Sequence, residues 1–79
     1  MEPVEIRIAR WVRERREALG WTVEELVEIS GCSRAVVHSV ESALGTSRLA
    51  NVAAVVESLG GKLEVGDGRR GTAGTGNVG

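Results

Sequence analysis

The chain has 79 residues, a formal net charge of −1, one cysteine and one histidine. This length fits one small domain, and a single cysteine excludes a disulfide framework, which favours a reducing compartment. No run approaches the roughly 18 apolar residues of a membrane span, and no signal-peptide pattern is present. We therefore expect a cytoplasmic protein whose small core is supplemented by association with a second copy.

The first predicted element is an arginine-rich helix over residues 4–19. Pro3 suits the first turn of a helix, and Gly20 suits a C-terminal cap. The apolar positions that recur at helical spacing, and are expected to face the core, are Ile8, Val12 and Leu19. Trp11 lies beside this stripe, so part of its ring is expected at the surface.

Two short helices joined by a glycine-containing turn are predicted next. Thr22 and Glu25 form a T-x-x-E capping box, in which each side chain accepts a hydrogen bond from the other residue's amide. The box begins a helix over residues 23–30, and Ser33 caps a third helix that runs to about residue 43. The positions expected to face inward are Leu26, Ile29, Val37 and Val40.

The last third of the chain changes its pattern twice. Ser47 is predicted to cap a fourth helix, which ends at a Gly-Gly pair. The apolar side of this helix consists of Leu49, Val52, Val55, Val56 and Leu59. Residues 62–65, KLEV, then alternate polar and apolar and predict a short strand. Residues 66–79 hold six glycines and predict a flexible tail, so the domain itself is expected to span residues 1–65.

The two central helices and their turn have the helix-turn-helix arrangement, in which the second helix enters the DNA major groove. The stretch LGWTVEELVEISGCSRAVVHSVE resembles the Cro/CI-type (XRE) helix-turn-helix family, and the likeness covers about residues 6–59. The matching positions are Arg16, Gly20, Thr22, Glu25, Leu26, Gly31, Ser33, Val37, Val40 and Glu41. The resemblance implies an all-α, lambda-repressor-like domain of four helices, or five, with a short C-terminal strand that pairs across a dimer.

The resemblance also assigns roles to individual positions. Arg16 and Glu41 would form a structural ion pair; the alternative is two exposed, unlinked charges. The positions facing the bases or the groove edge would be Arg34, Ala35, His38 and Ser39, and those near phosphates would be Thr22, Ser33, Ser47 and Arg48. Arginine can donate two hydrogen bonds to guanine, and a methyl group can meet the thymine methyl. The alternative for this side of the helix is a solvated surface with no ligand.

Three departures from the family pattern lie next to this predicted interface. Val23 stands where family members usually carry glutamine, which removes a polar contact beside the DNA backbone. Ala43 and Ser47 stand in the loop where the family usually has a glycine and a proline. With few cations on this side, we expect moderate affinity for double-stranded DNA and a shallow salt dependence.

The predicted strand suggests how two copies associate. It consists of Lys62, Leu63, Glu64 and Val65 and has no predicted partner in its own chain. Here the sequence resembles HipB-type antitoxins, in which the strands of two subunits pair antiparallel. A symmetry-related copy would supply the missing partner strand.

These observations predict a nucleoid-associated transcriptional regulator, a repressor, that binds an inverted-repeat operator as a homodimer. The alternative is an antitoxin that chiefly neutralises a toxin protein through Trp11 and the tail, with autoregulatory DNA binding. An enzyme is not expected, since one histidine and one cysteine provide no catalytic cluster and no metal or cofactor site. Residues 74–79 match G-x-G-x-x-G, but no helix follows them, so the match reflects composition.

Overall fold

Four α-helices make up the regular structure of the chain. The computed structural model describes residues 2–45 and 47–64 and contains α1 (Val4–Ala18), α2 (Val23–Ser30), α3 (Arg34–Glu41) and α4 (Leu49–Ser58). The all-α prediction is confirmed over this part of the chain. None of these helices is long and apolar enough to cross a membrane.

Local hydrogen bonds determine where α2 and α3 begin and end. The Glu25 amide donates to Thr22 Oγ1 at 3.1 Å and the Thr22 amide donates to Glu25 Oε1 at 2.7 Å, which completes the predicted capping box. Gly31 ends α2 with a φ of 74°, in the left-handed region that glycine adopts without strain. Ser33 Oγ accepts from the Val36 amide at 3.1 Å and caps α3. The turn between the two helices is therefore specified residue by residue.

The core lies where the four helices converge, and each helix contributes one fully buried side chain. These are Val12 from α1, Leu26 from α2, Val37 from α3 and Val55 from α4. Burying an aliphatic side chain of this size stabilises the fold by about 1.5–3 kcal/mol. α3 packs against each of the other three helices, and α2 also packs against α4. The third helix is therefore the centre of the packing.

Three apolar residues that were expected to face the core are exposed instead: Leu19, Ile29 and Leu49. Leu19 is the C-cap residue of α1, Ile29 is the penultimate residue of α2, and Leu49 is the first residue of α4. Helical periodicity identifies the inward side of a helix, but it does not say how far the neighbouring helices extend along that side. Residues at the helix ends therefore project beyond the core.

The connection from α3 to α4 also differs from the prediction. α3 ends at Glu41 rather than near residue 43, because Ala43 adopts a φ of 58°, outside the right-handed helical region. The N-cap residue of α4 is Arg48 rather than Ser47. Ser47 Oγ is shielded from solvent and has no hydrogen-bond partner among the described residues, so it does not cap the helix.

Trp11 joins α1 to the segment that follows α4. Its ring lies so close to Gly61 that a Cβ built on this glycine would be 2.6 Å from Trp11 Cη2. The guanidinium of Arg15 lies 5.1 Å from the centroid of the same ring, within the range of a cation–π interaction. The tryptophan is thus half-buried between α1 and the chain after α4, and part of its ring stays at the surface, as predicted.

The segment after Gly61 shows the alternation that its sequence predicts. Leu63 is half-buried and packs against the core, whereas Lys62 and Glu64 are exposed. No strand is formed within the described residues, and the pairing proposed for this segment requires a second chain. Val65 and the glycine-rich tail, residues 66–79, lie outside the described residues.

The left-handed conformation of Ala43 generates a stability prediction. The left-handed conformation is destabilised by about 1–2 kcal/mol for a residue that has a Cβ, whereas glycine adopts it without this cost. Ala43→Gly should therefore raise the free energy of unfolding by about 1 kcal/mol, less the extra chain entropy of glycine. Urea denaturation followed by circular dichroism measures the change.

The matched control is Ala53→Gly in the middle of α4, where the conformation is right-handed. This substitution should lower the free energy of unfolding by about 1 kcal/mol. Equal destabilisation by both glycines would contradict the conformation assigned to Ala43.

Candidate nucleic-acid interface

α3 has one side in the core and one side in solvent. Val37 and Val40 are buried, whereas Arg34, Ala35 and His38 are exposed. Successive residues of an α-helix are rotated by about 100°, so the three exposed residues occupy an arc of about 100°. This arc carries a guanidinium, an imidazole and a methyl group. No other described element covers it.

Ser39 does not belong to this exposed side, which corrects the expectation that it faces a base. The residue is only 7% exposed and lines a cavity of about 260 Å³ together with Glu5 and Ile8 of α1 and Gly45 of the following loop. Helical geometry rotates it about 140° from Arg34, which turns it towards α1 and the loop. Ser39 is therefore an inner residue of α3.

The N-terminal ends of α2 and α3 reach the surface next to the exposed side of α3. Thr22 and Ser33, the two capping residues, are both exposed. Amides in the first turn of a helix have no acceptor within the helix, and they attract anions. Arg48 is exposed immediately before α4 and adds a cation. Ser47, in contrast, has its Oγ shielded from solvent, so the phosphate contact expected from it is not available in this structure.

A two-point ion pair ties the end of α1 to the end of α3. Arg16 Nε lies 2.6 Å from Glu41 Oε2, and Arg16 Nη2 lies 3.2 Å from Glu41 Oε1. Arg16 Nη1 also donates to the carbonyl of Trp21 at 2.9 Å. The two charged side chains are only 14% and 10% exposed. This is the ion pair that the sequence resemblance implies, and here it is largely shielded from water.

The hydrogen bond to the Glu41 carboxylate raises the pKa of Arg16, although burial acts in the opposite direction. A raised pKa in the folded state means that the stabilisation is fully present below the ordinary arginine value and is lost only as the pH rises above it. The ion pair therefore contributes across the whole neutral range. The position of α3 does not depend on pH through this group.

A second ion pair, which the sequence did not reveal, lies on the exposed side itself. Arg34 Nη2 is 2.6 Å from Glu24 Oε2, and the two side chains are 69% and 61% exposed. The contact joins the first turn of α2 to the first residue of α3. No local pattern signals it, because the two residues are ten positions apart and meet only through the angle between the two helices.

The side chains of this region that could bind a metal do not converge on one point. No group of three or more His, Cys, Asp or Glu side chains among the described residues is arranged to hold a metal ion. Cys32 is half-buried, its Sγ lies 3.8 Å from the carbonyl oxygen of Asn51, and it packs against the core. It therefore contributes to packing between the α2–α3 turn and α4.

Comparison of the chain with protein-family models, with curated proteins and with solved structures finds no match in any of the three. The function is therefore inferred from the residues and the geometry of this chain.

The shielded ion pair predicts a large cost when one partner is removed. Arg16→Met should lower the free energy of unfolding by about 2–3 kcal/mol, because Glu41 loses its cation and the Trp21 carbonyl loses its donor in a site with little water. Urea denaturation of the full chain, followed by tryptophan fluorescence, measures this change.

The control is Arg10→Met, which removes the exposed ion pair between Arg10 and Glu2. Exposed pairs contribute about 0–1 kcal/mol, so this variant should unfold almost as the original chain does. If both variants lose the same small amount, the ion pair between α1 and α3 does not anchor α3.

Proposed function

We propose that the chain is a sequence-specific DNA-binding transcriptional regulator and that α3 is its recognition helix. The observation that carries the proposal is the division of α3 into an anchored side and an exposed side. Val37 and Val40 fix the helix in the core, and the ion pair between Arg16 and Glu41 fixes its C-terminal end. The opposite side is left free for a ligand.

The dimensions and chemistry of the exposed side fit the DNA major groove. α3 has 8 residues. The major groove is about 12 Å wide and admits an α-helix, and the N-terminal residues of a recognition helix contact the base edges. Arg34 is the first residue of α3, where its guanidinium can donate two hydrogen bonds to guanine O6 and N7. The short Ala35 allows close approach and can contact a thymine methyl, and His38 follows one helical turn later.

Groups suited to phosphate are exposed at the N-terminal ends of α2, α3 and α4. The exposed helix N-termini at Thr22 and Ser33 offer backbone amides, and Arg48 offers a cation. The resemblance to the Cro/CI-type family supports the same assignment, and the ion pair that this resemblance implies is formed between Arg16 and Glu41. Because the surface carries few cations, its affinity should depend more on base contacts than on phosphate neutralisation.

Two copies of the chain would read an inverted repeat. Lys62, Leu63 and Glu64 make no backbone hydrogen bond to another described residue, so their amides and carbonyls are available to a partner strand. Antiparallel pairing of this segment across a two-fold axis would orient two recognition helices towards successive major grooves, about 34 Å apart.

The toxin-binding alternative relies partly on Trp11. This ring packs against Gly61 and lies under the Arg15 guanidinium, so much of its surface is already covered within the chain. We therefore propose DNA binding as the principal function rather than the neutralisation of a protein partner.

Selection of bound sequences from a random pool of duplex DNA tests the proposal. The original chain should enrich a palindromic site with a guanine in each half. Arg34→Ala should weaken binding to that site and relax the guanine preference, with a loss of about 1–3 kcal/mol per contact. Arg13→Ala, which removes an exposed arginine of α1, is the control and should select the same site as the original chain.

Absence of any enriched sequence for the original chain would contradict the proposed function. An unchanged site and affinity in Arg34→Ala would contradict the assignment of α3 as the recognition helix.

The dimer is tested with two truncations, measured by sedimentation velocity. A chain ending at Gly61 should be monomeric and bind the selected site weakly, because the pairing segment is gone. A chain ending at Val65 lacks only the glycine-rich tail and should remain a dimer. Circular dichroism verifies that both keep their helices. A dimer that persists in the shorter chain shows that the segment is not the interface.

A further inference from the structure

The Glu24–Arg34 ion pair lies within the surface that is proposed to meet DNA. Among the described residues, the Glu24 carboxylate is the acidic group in contact with Arg34. An exposed pair of this kind contributes little to the stability of the fold. The contact acts instead on the orientation of the Arg34 guanidinium.

The contact leaves the guanidinium able to bind a base. A guanidinium carries five N–H donors in a planar fork, and Nη2 alone carries two of them. Glu24 Oε2 lies 2.6 Å from Nη2, and this ion pair engages one corner of the fork. A second Nη2 hydrogen and those of the other nitrogens remain for guanine O6 and N7. The carboxylate and the base can therefore hold the same arginine from two directions.

The carboxylate also limits the freedom of a side chain that is otherwise 69% exposed. A mobile side chain of this length loses conformational entropy when it is fixed by binding, which weakens binding about three- to tenfold. When the side chain is already ordered in the free protein, less entropy is lost at binding and the affinity is higher. A negative charge in the same place also repels phosphate, so binding that makes no base contact is weakened.

We infer that Glu24 is a positioning residue that determines specificity: it orients the Arg34 guanidinium towards guanine and disfavours non-specific DNA. This inference rests on the proposed function of α3. It predicts that removal of Glu24 lowers discrimination at one base pair while it raises affinity for unrelated DNA.

The chain offers a matched control for the charge. Glu28 lies one helical turn further along α2, is exposed, and forms no ion pair with another described residue. Glu24→Ala and Glu28→Ala thus each remove one carboxylate from the same helix, and only Glu24→Ala removes the contact with Arg34. Both substitutions replace a good helix former with another, so the stability of α2 should be similar in the two variants.

The experiment compares four full-length chains: the original, Glu24→Ala, Glu28→Ala and Arg34→Ala. Each is measured on the duplex that the original chain selects, on the same duplex with the proposed guanine replaced by adenine, and on a scrambled duplex. The preference for guanine over adenine should fall about three- to tenfold in Glu24→Ala and remain unchanged in Glu28→Ala. Both variants should bind the scrambled duplex more tightly than the original chain does.

Two outcomes overturn the inference while leaving the proposed function intact. In one, Arg34→Ala loses the guanine preference and Glu24→Ala keeps it. In the other, Glu24→Ala and Glu28→Ala lose it equally, which would assign the effect to charge rather than to the ion pair. Failure of the original chain to select any duplex overturns the proposed function and the inference together.

Discussion

The ion pair between Arg16 and Glu41 joins α1 to the C-terminal end of α3, while Val37 and Val40 hold the same helix in the core. A chain of this length has little core with which to fix a helix of 8 residues. The ion pair supplies a second attachment that burial alone would not provide. Because α3 is fixed from one side, its other side is a defined surface, and the proposed recognition of DNA depends on that.

The caps of α2 and α3 agree with the prediction from local chemistry, whereas the cap predicted at Ser47 and the base contact predicted at Ser39 do not agree with the structure. The start of α2 is identifiable from Thr22 and Glu25, and the start of α3 from Ser33, because a capping hydrogen bond spans only three residues. Ser47 is a serine like Ser33, but its hydroxyl is shielded from solvent and does not cap α4. Ser39 is buried because α1 and the loop after α3 lie beside it, and neither neighbour is visible in helical spacing.

The candidate site divides in the same way. Arg34 and Ala35 are identifiable from their position after the Ser33 cap. The pairing of Arg16 with Glu41, 25 residues away, was implied by the family resemblance and not by residue spacing. The contact of Glu24 with Arg34 was not predicted, because it depends on the angle between α2 and α3. In the proposed site, the Glu24 carboxylate beside Arg34 favours discrimination between bases over general attraction to phosphate.

The central claim is that the exposed side of α3 lies against DNA. Nuclear magnetic resonance of the full chain, labelled with ¹⁵N and titrated with the duplex that it selects, tests this claim most directly. The account predicts that the largest amide shifts occur from Ser33 to His38 and around Thr22, while exposed positions elsewhere, such as Glu57 near the C-terminal end of α4, change little. Shifts confined to α1 or to residues 62–64, with the signals of α3 unchanged, would contradict it.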